Sequence, residues 1–403
     1  MAAFIAACDG HIAGDLRVDD YSRMLYSTDA SLYQLMPHAV LIPRTVEDVI
    51  AAVSLAAEYG LPVTPRAAGT SLAGQAVNEA LVIDFSRHLD GIIEINPEER
   101  WARVQPGVVL DKLNATLRSH GLQFGPDPAS SDRSTVGGAV ANNATGSHSL
   151  LYGMTADHVR AMEVVLSDGS AAAFSSTLDG TGGSGIRIAE QVEALLDGLD
   201  NRKVIRENTP RYWRRCGGYN LDRLAAERPA GLAQLVCGSE GTLAVMTEIT
   251  VDLVPRPPHT GLGLMHFDRL ETALLAVPAI LETNPSAVEL LDTLSLSLCR
   301  DVPEYARLLA SVVDGRPDCL LVVEYQGESE AAVRDGIQRL AALLNRRAIG
   351  ATALTRATDP VSVAAVWRVR KVGLGLLMSM KGDMKPVPFI EDAAVPVEHL
   401  YDY

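Results

Sequence analysis

The sequence has no surplus of basic charge. Its 403 residues include 50 Asp and Glu against 35 Lys and Arg, a formal net charge of −15. That balance argues against nucleic acid as a partner, because phosphates would be repelled. Paired cysteines are also missing. Cys8, Cys216, Cys237, Cys299 and Cys319 are scattered with no C-x-x-C spacing, which argues against a disulfide framework and predicts reduced thiols in a cytoplasmic protein. No run of about 18 apolar residues is present, so no transmembrane helix is expected; peripheral association at the inner face of a membrane stays compatible. The opening Met1–Cys8 is apolar but short and lacks a basic flank, unlike a signal peptide. There is no internal repeat, no Walker A loop and no G-x-G-x-x-G. No metal site is expected within these residues.

What is present is enough apolar sequence, 47% of residues, for the two domains that this length favours. Residues 39–64 read as strand, helix and strand. Thr45 and Asp48 form an imperfect capping box before Val46, Val49, Ile50 and Val53, and Gly60 closes the helix. Further strands are expected at 81–85, 92–95, 101–105, 162–166 and 245–253, with a helix from Val109 to His120. Asp179–Gly185 reads as an exposed glycine-rich loop. The cluster Pro255-Arg256-Pro257-Pro258 marks a domain boundary. Beyond it, strands at 262–267, 288–291 and 320–325 alternate with helices at about 270–281, 329–345 and 361–378, the pattern of an α+β cap with an antiparallel sheet.

Three glycine-containing stretches carry the candidate chemistry. In the loop Pro65-Arg66-Ala67-Ala68-Gly69-Thr70-Ser71, continuing to Gln75, glycine lets main-chain N–H groups converge and two hydroxyls stand beside them. An ordinary tight turn explains that loop about as well. In the second stretch, Pro126 to Ser131 leads into Thr135-Val136-Gly137-Gly138 and Asn142-Asn143. There a helix start could face an anion, or the asparagines could simply make turn hydrogen bonds. The third, Gly238-Ser239-Glu240-Gly241-Thr242, could be a hairpin turn. Three such cradles within one 250-residue stretch are harder to explain as turns.

In order and spacing, PRAAGTSLAGQAV, PDPASSDRSTVGGAVANNATGSHSLLYG and GSEGTLAV resemble the PCMH-type FAD domain of the vanillyl-alcohol-oxidase superfamily. More narrowly they resemble FAD-linked D-lactate, glycolate and D-2-hydroxyglutarate dehydrogenases, especially long forms fused to an iron–sulfur domain. The resemblance implies an α+β fold. It comprises an N-terminal helical extension (1–36), a two-subdomain FAD-binding domain (37–256) and an incomplete α+β cap (257–403). The implied cofactor residues are Pro65, Arg66, Ala67, Ala68, Gly69, Thr70, Ser71, Gln75, Pro126, Ser130, Thr135, Gly137, Gly138, Asn142, Asn143, Gly146, Tyr152, Gly238, Glu240, Gly241 and Thr242. Members with covalent FAD carry histidine where Thr70 stands, so noncovalent FAD is implied. Tyr219 and Asn220 also match a family segment, and packing explains them equally well.

On the substrate side, Trp367-Arg368-Val369-Arg370 resembles the family's W-x-x-R segment, which implies that Arg370 holds a substrate carboxylate. A solvated basic helix turn is the bland alternative. Lys385 is a second candidate ligand. The threonine that many relatives place four residues after the arginine is Leu374 here. The family's G-H-x-G-D-G-N-x-H and E-H-G segments do not occur in this sequence. The expectation is therefore an enzyme continuing past residue 403, with its base, a divalent metal and an iron–sulfur cluster in that further part. The implied reaction is oxidation of a small anionic D-2-hydroxy acid to the 2-oxo acid, with a quinone or iron–sulfur electron acceptor. A flavin-binding fragment without turnover, or another PCMH-type oxidase or reductase, are the alternatives.

Overall fold

The protein is described by a computed structural model that covers residues 1–403 except 178–183, 199, 216, 228, 229, 348, 381, 383–386, 388, 389, 391 and 392. It divides into two compact units. One is built chiefly from Met1–Gly146 and Gly153–Pro255; the other comprises Ser147–Tyr152, Arg256–Val387 and Ala394–Tyr403.

The first unit holds two main sheets. Strands β1 (Asp15–Arg17), β2 (Ala39–Ile42), β3 (Val63–Arg66) and β4 (Leu81–Asp84) form a sheet in the order β1-β2-β4-β3. β2, β4 and β3 run parallel, and β1 joins antiparallel. The sequence places the second strand at 61–64, but the structure moves it to Val63–Arg66. Pro65 is tolerated there because β3 is the edge strand, where a missing N–H breaks no interior ladder. Helix Val46–Glu58 buries Val49, Ala52, Val53 and Ala56 against Leu41, Leu81 and Ile83. Both halves of its capping box form, with Asp48 N–H donating to Thr45 Oγ1 and Thr45 N–H to Asp48 Oδ2. The Asp48 carboxylate also accepts the N–H groups of Ala13 and Arg44.

The next strands are β5 (Ile92–Asn96), β6 (Trp101–Val104), β7 (Leu122–Gln123), β8 (Val159–Val165), β9 (Ala171–Ser175), β10 (Val245–Asp252) and β11 (Val254–Pro255). β5-β6-β10-β8-β9 is an antiparallel sheet, and β7 pairs with β11. One face of the larger sheet, with Ala102, Val104, Met162, Val164, Ile249 and Val251, packs under helices Leu110–Leu117 and Val136–Asn142. Leu110, Leu113 and Leu117 recur at the helical period that one buried stripe requires.

The second unit is the antiparallel α+β domain that the sequence predicts. Strands β12 (His259–Phe267), β13 (Ala287–Leu291), β14 (Cys319–Gly327) and β15 (Ala353–Ala357) run in the order β13-β14-β12-β15. Helices Leu270–Leu281 and Glu330–Arg346 cover one face, burying Ile280, Ile337 and Leu340 on Met265, Leu321 and Val323. Helices Thr293–Asp301, Pro303–Ala310 and Pro360–Met378 cover the other, over Leu262, Leu264, Leu320 and Val322. β14 is therefore buried on both faces and reads as a nearly continuous apolar run.

Some elements escape the sequence reading. β9 is alanine-rich, and helices Ser184–Leu196 and Asn201–Asn208 follow glycine-rich sequence. The loop expected at 179–185 falls largely outside the described residues, and its last residue, Gly185, lies inside a helix.

Candidate functional site

The three glycine stretches converge within the first unit. The loop after β3 is held from below by Arg66, which is 8% exposed. Its Nη1 donates to Ala76 O and its Nη2 to Thr28 O, each at 2.8 Å, and the guanidinium lies 5.7 Å from the centre of the Tyr26 ring. Desolvation lowers the pKa of Arg66, against an opposing pull from Asp29 and Asp84. Burial, together with a 2.5 Å bond to Asp84, pushes the Tyr26 hydroxyl up to about 12. Arg66 thus shapes the loop rather than presenting its charge outward.

The other two stretches close around that loop. Thr70 Oγ1 lies 3.2 Å from Ser134 Oγ, which lies 2.5 Å from Ser130 Oγ. Gln75 Nε2 donates to Glu240 Oε1 at 3.2 Å. A Cβ on Gly138 would stand 3.0 Å from Ala67 Cβ, and one on Gly241 would stand 3.3 Å from Pro65 Cδ. Gly241 also has φ +79°, a conformation that favours glycine. The second and third stretches bond directly to each other, Gly238 N–H to Val140 O and Glu240 N–H to Ala141 O. Tyr219 OH reaches Thr242 Oγ1 at 2.9 Å, and Asn220 Nδ2 ties the carbonyls of Gln234 and Cys237.

The expectation that all three stretches offer amides to an anion needs correction. At the start of helix Val136–Asn142 the N–H groups are spent internally, Val136 on Val108 O, Gly137 on Pro106 O and Gly138 on the Thr135 hydroxyl. In the third stretch, the N–H groups of Gly238, Ser239, Glu240 and Thr242 are likewise taken. The first loop differs in leaving an unbroken run of them unspent. Among the described residues, no hydrogen bond is donated by the main-chain N–H groups from Ala67 through Leu72. A run of unspent amides with the Thr70 and Ser71 hydroxyls beside it fits a diphosphate; Gly138 against Ala67, Gly241 against Pro65 and Glu240 bonded to Gln75 buttress it. The cradle therefore fits a dinucleotide such as FAD.

Several implied residues have other duties. Asn143 stands at φ +50° as the helix C-cap, and its side chain bonds Ala156 N–H and Met154 Sδ. Asn142 is half-buried, and no side-chain hydrogen bond of it occurs among the described residues. A Cβ on Gly146 would strike the backbone of Asp127, and Pro126 is buried. Tyr152 belongs to the second unit, where its hydroxyl donates to Gln326 Oε1 at 3.2 Å.

The second unit contains a polar group that sequence reasoning missed. Glu324, 1% exposed on β14, accepts from His148 Nε2 (2.7 Å), Ser286 Oγ (2.8 Å) and Gln326 Nε2 (2.8 Å) at Oε1, and from Trp367 Nε1 (3.0 Å) at Oε2. Burial acts to raise its pKa, but these donors outweigh it and the net shift is downward. One turn beyond Trp367, Arg370 Nε donates to Glu289 Oε2 at 3.0 Å. Lys385 lies outside the described residues. Cys237 and Cys319 are buried, with thiols pushed up to about 12 and about 11 chiefly by desolvation, so neither is a ready nucleophile. Among the described residues, no three His, Cys, Asp or Glu side chains are placed to hold a metal, and no helix is long and apolar enough to cross a membrane.

Comparison with known proteins agrees with this geometry. Residues 37–175 match the FAD binding domain family, and residues 256–403 match the C-terminal domain of FAD linked oxidases. The glycolate oxidase subunit GlcD of Bacillus subtilis (strain 168) is 30% identical over 96% of this chain and 71% of its own length. The chain belongs to the FAD-linked oxidases. A D-2-hydroxyglutarate dehydrogenase of Pantoea ananatis (strain AJ13355) is 36% identical over 97% of this chain, which spans 40% of that relative's length. The fold is that of alkyldihydroxyacetonephosphate synthase, with TM-score 0.64 at 19% identity over 94% of this chain and 65% of the other. The unit expected as an incomplete cap is matched, over residues 256–403, by the C-terminal domain family of FAD linked oxidases. A metal or iron–sulfur centre gains no support.

Proposed function

We propose that this FAD-linked oxidase holds FAD noncovalently and oxidises a small D-2-hydroxy acid to its 2-oxo acid. The unspent amides at 67–72 carry the cofactor half of this reading. The substrate half is supported by relatives named for D-2-hydroxyglutarate and glycolate, both 2-hydroxy acids. When bound, FAD supplies the two-electron acceptor for the substrate's Cα hydride. The chain's residues do the holding. The 67–72 amides and the Thr70 and Ser71 hydroxyls would meet the diphosphate, while Ser134 fixes Thr70 and Ser130 in one hydroxyl chain. Thr70 cannot form the covalent link that a histidine there would. Arg370 would pair with the substrate carboxylate, since its planar guanidinium suits a two-point contact. Electrons would leave to a quinone or an iron–sulfur acceptor.

The test is anaerobic addition of D-lactate, glycolate or D-2-hydroxyglutarate to FAD-loaded protein. Bleaching of the oxidised flavin band is expected with at least one. Bound FAD that no hydroxy acid bleaches would identify a flavin carrier without turnover, and protein that takes up no FAD would overturn the reading altogether.

A further inference from the structure

We propose that Glu289 is a positioning residue for Arg370, setting the plane in which the guanidinium meets a substrate carboxylate. The inference rests on the role proposed above for Arg370. It begins with helix Pro360–Met378, started by Asp359, whose carboxylate accepts the N–H groups of Val361 and Ser362. Trp367 and Arg370 are three residues apart and so share one helix face. That face lies on β13 and β14. There Ala287 pairs with Glu324 and Glu289 with Val322, so the two carboxylates are diagonal neighbours on one side of the sheet. Glu324 takes the indole N–H of Trp367 at 3.0 Å, and Glu289 takes Nε of Arg370 at 3.0 Å.

The other arginine of the segment serves as a control. Arg368 pairs with Glu304 at side-chain exposures of 57% and 52%, a solvated ion pair. Arg370 and Glu289 are each 21% exposed. Nε is the inner nitrogen, so an acceptor fixed there orients the whole planar group. A clamp already oriented loses less side-chain freedom when its ligand arrives.

Charge and positioning predict opposite signs. Glu289 partly neutralises Arg370, so on charge alone its removal would tighten binding of an anion. If positioning dominates, Glu289→Ala weakens it. In FAD-loaded full chain, Glu289→Ala should raise KM for the reactive hydroxy acid on the order of tenfold. Glu289→Gln, which keeps an acceptor without the charge, should restore the native value or better it. In an Arg370→Met background, Glu289→Ala should change KM no further. A lower KM in Glu289→Ala, or additive effects with Arg370→Met, would overturn the proposal. If no hydroxy acid reduces the flavin, the functional reading fails separately, and crystal structures then decide the positioning. A guanidinium displaced in Glu289→Ala but kept in Glu289→Gln supports it, and one unmoved in both sinks it.

Discussion

The loop at 67–72 and the carboxylate of Glu324 solve opposite problems. The loop leaves a run of main-chain N–H groups without partners among the described residues. Unpaired amides like these are costly unless water or a ligand meets them. Glu324 is buried and collects four donors, so its charge is satisfied inside the unit. A site meant for an outside anion keeps its donors unspent, whereas a polar group that holds a domain together spends all of them. The start of helix 136–142 belongs with Glu324 by this measure, although its sequence resembles an anion cradle.

The largest expected effect comes from emptying the satisfied site. Glu324→Ala removes the acceptor shared by four side-chain donors and should cost about 3–5 kcal/mol. Trp367 reports it directly, because the other two of the three tryptophans, Trp101 and Trp213, lie in the first unit and can be replaced by phenylalanine. A change in urea midpoint worth less than about 1 kcal/mol would erase the distinction. The same residue sets a pH limit. Its folded pKa is below the ordinary 4.5, so its contribution is complete above that value and is lost as pH falls through the folded one. Glu324→Gln should flatten that acid limb in the same fluorescence titration.

The unspent site is probed next. In Gly138→Val the added side chain starts 3.0 Å from Ala67 Cβ and must push the buttress off the loop. FAD should be held at least about tenfold less tightly, about 1.4 kcal/mol, as read by equilibrium dialysis, while far-UV circular dichroism stays native. Unchanged retention would mean that the buttress does not set the loop. A smaller effect tests local helix chemistry outside either site. Thr45→Ala removes half of a formed capping box and should cost about 1 kcal/mol in a urea titration. Smallest of all, Arg368→Ala breaks a solvated pair with Glu304 and should cost no more than about 1 kcal/mol. KM for hydroxy acids should not move, in contrast to Arg370→Met.

Much of the fold is legible where local rules and packing agree. The Thr45–Asp48 box, Gly60 at φ +63° and the apolar spacing of 46–58 all point to one helix, and it forms. β9, with alanines at Ala171, Ala172 and Ala173, lacks the branched residues that announce a strand and forms because β8 pairs with it. Within the site, Arg66 and Thr135 are visible as motif members, but their work is not. That the Arg66 guanidinium bonds the carbonyls of Ala76 and Thr28 could not be read locally, because Thr28 is 38 residues away. Glu324 did leave a trace, as a lone acid within the apolar run Cys319–Tyr325. Such a charge must be paired if it is buried. Its partners come from positions 148, 286, 326 and 367, which no local pattern connects.

By itself the sequence determined most of the elements and the break at Pro255, which follow from local conformational preference and apolar period, and the glycine loops through which it resembles FAD-linked oxidases. Tertiary structure alone decided which donors stay unspent and which carboxylates answer Trp367 and Arg370. Hydrogen bonds are satisfied in space, by groups that the chain separates by 43 residues for Trp367 and 81 for Arg370.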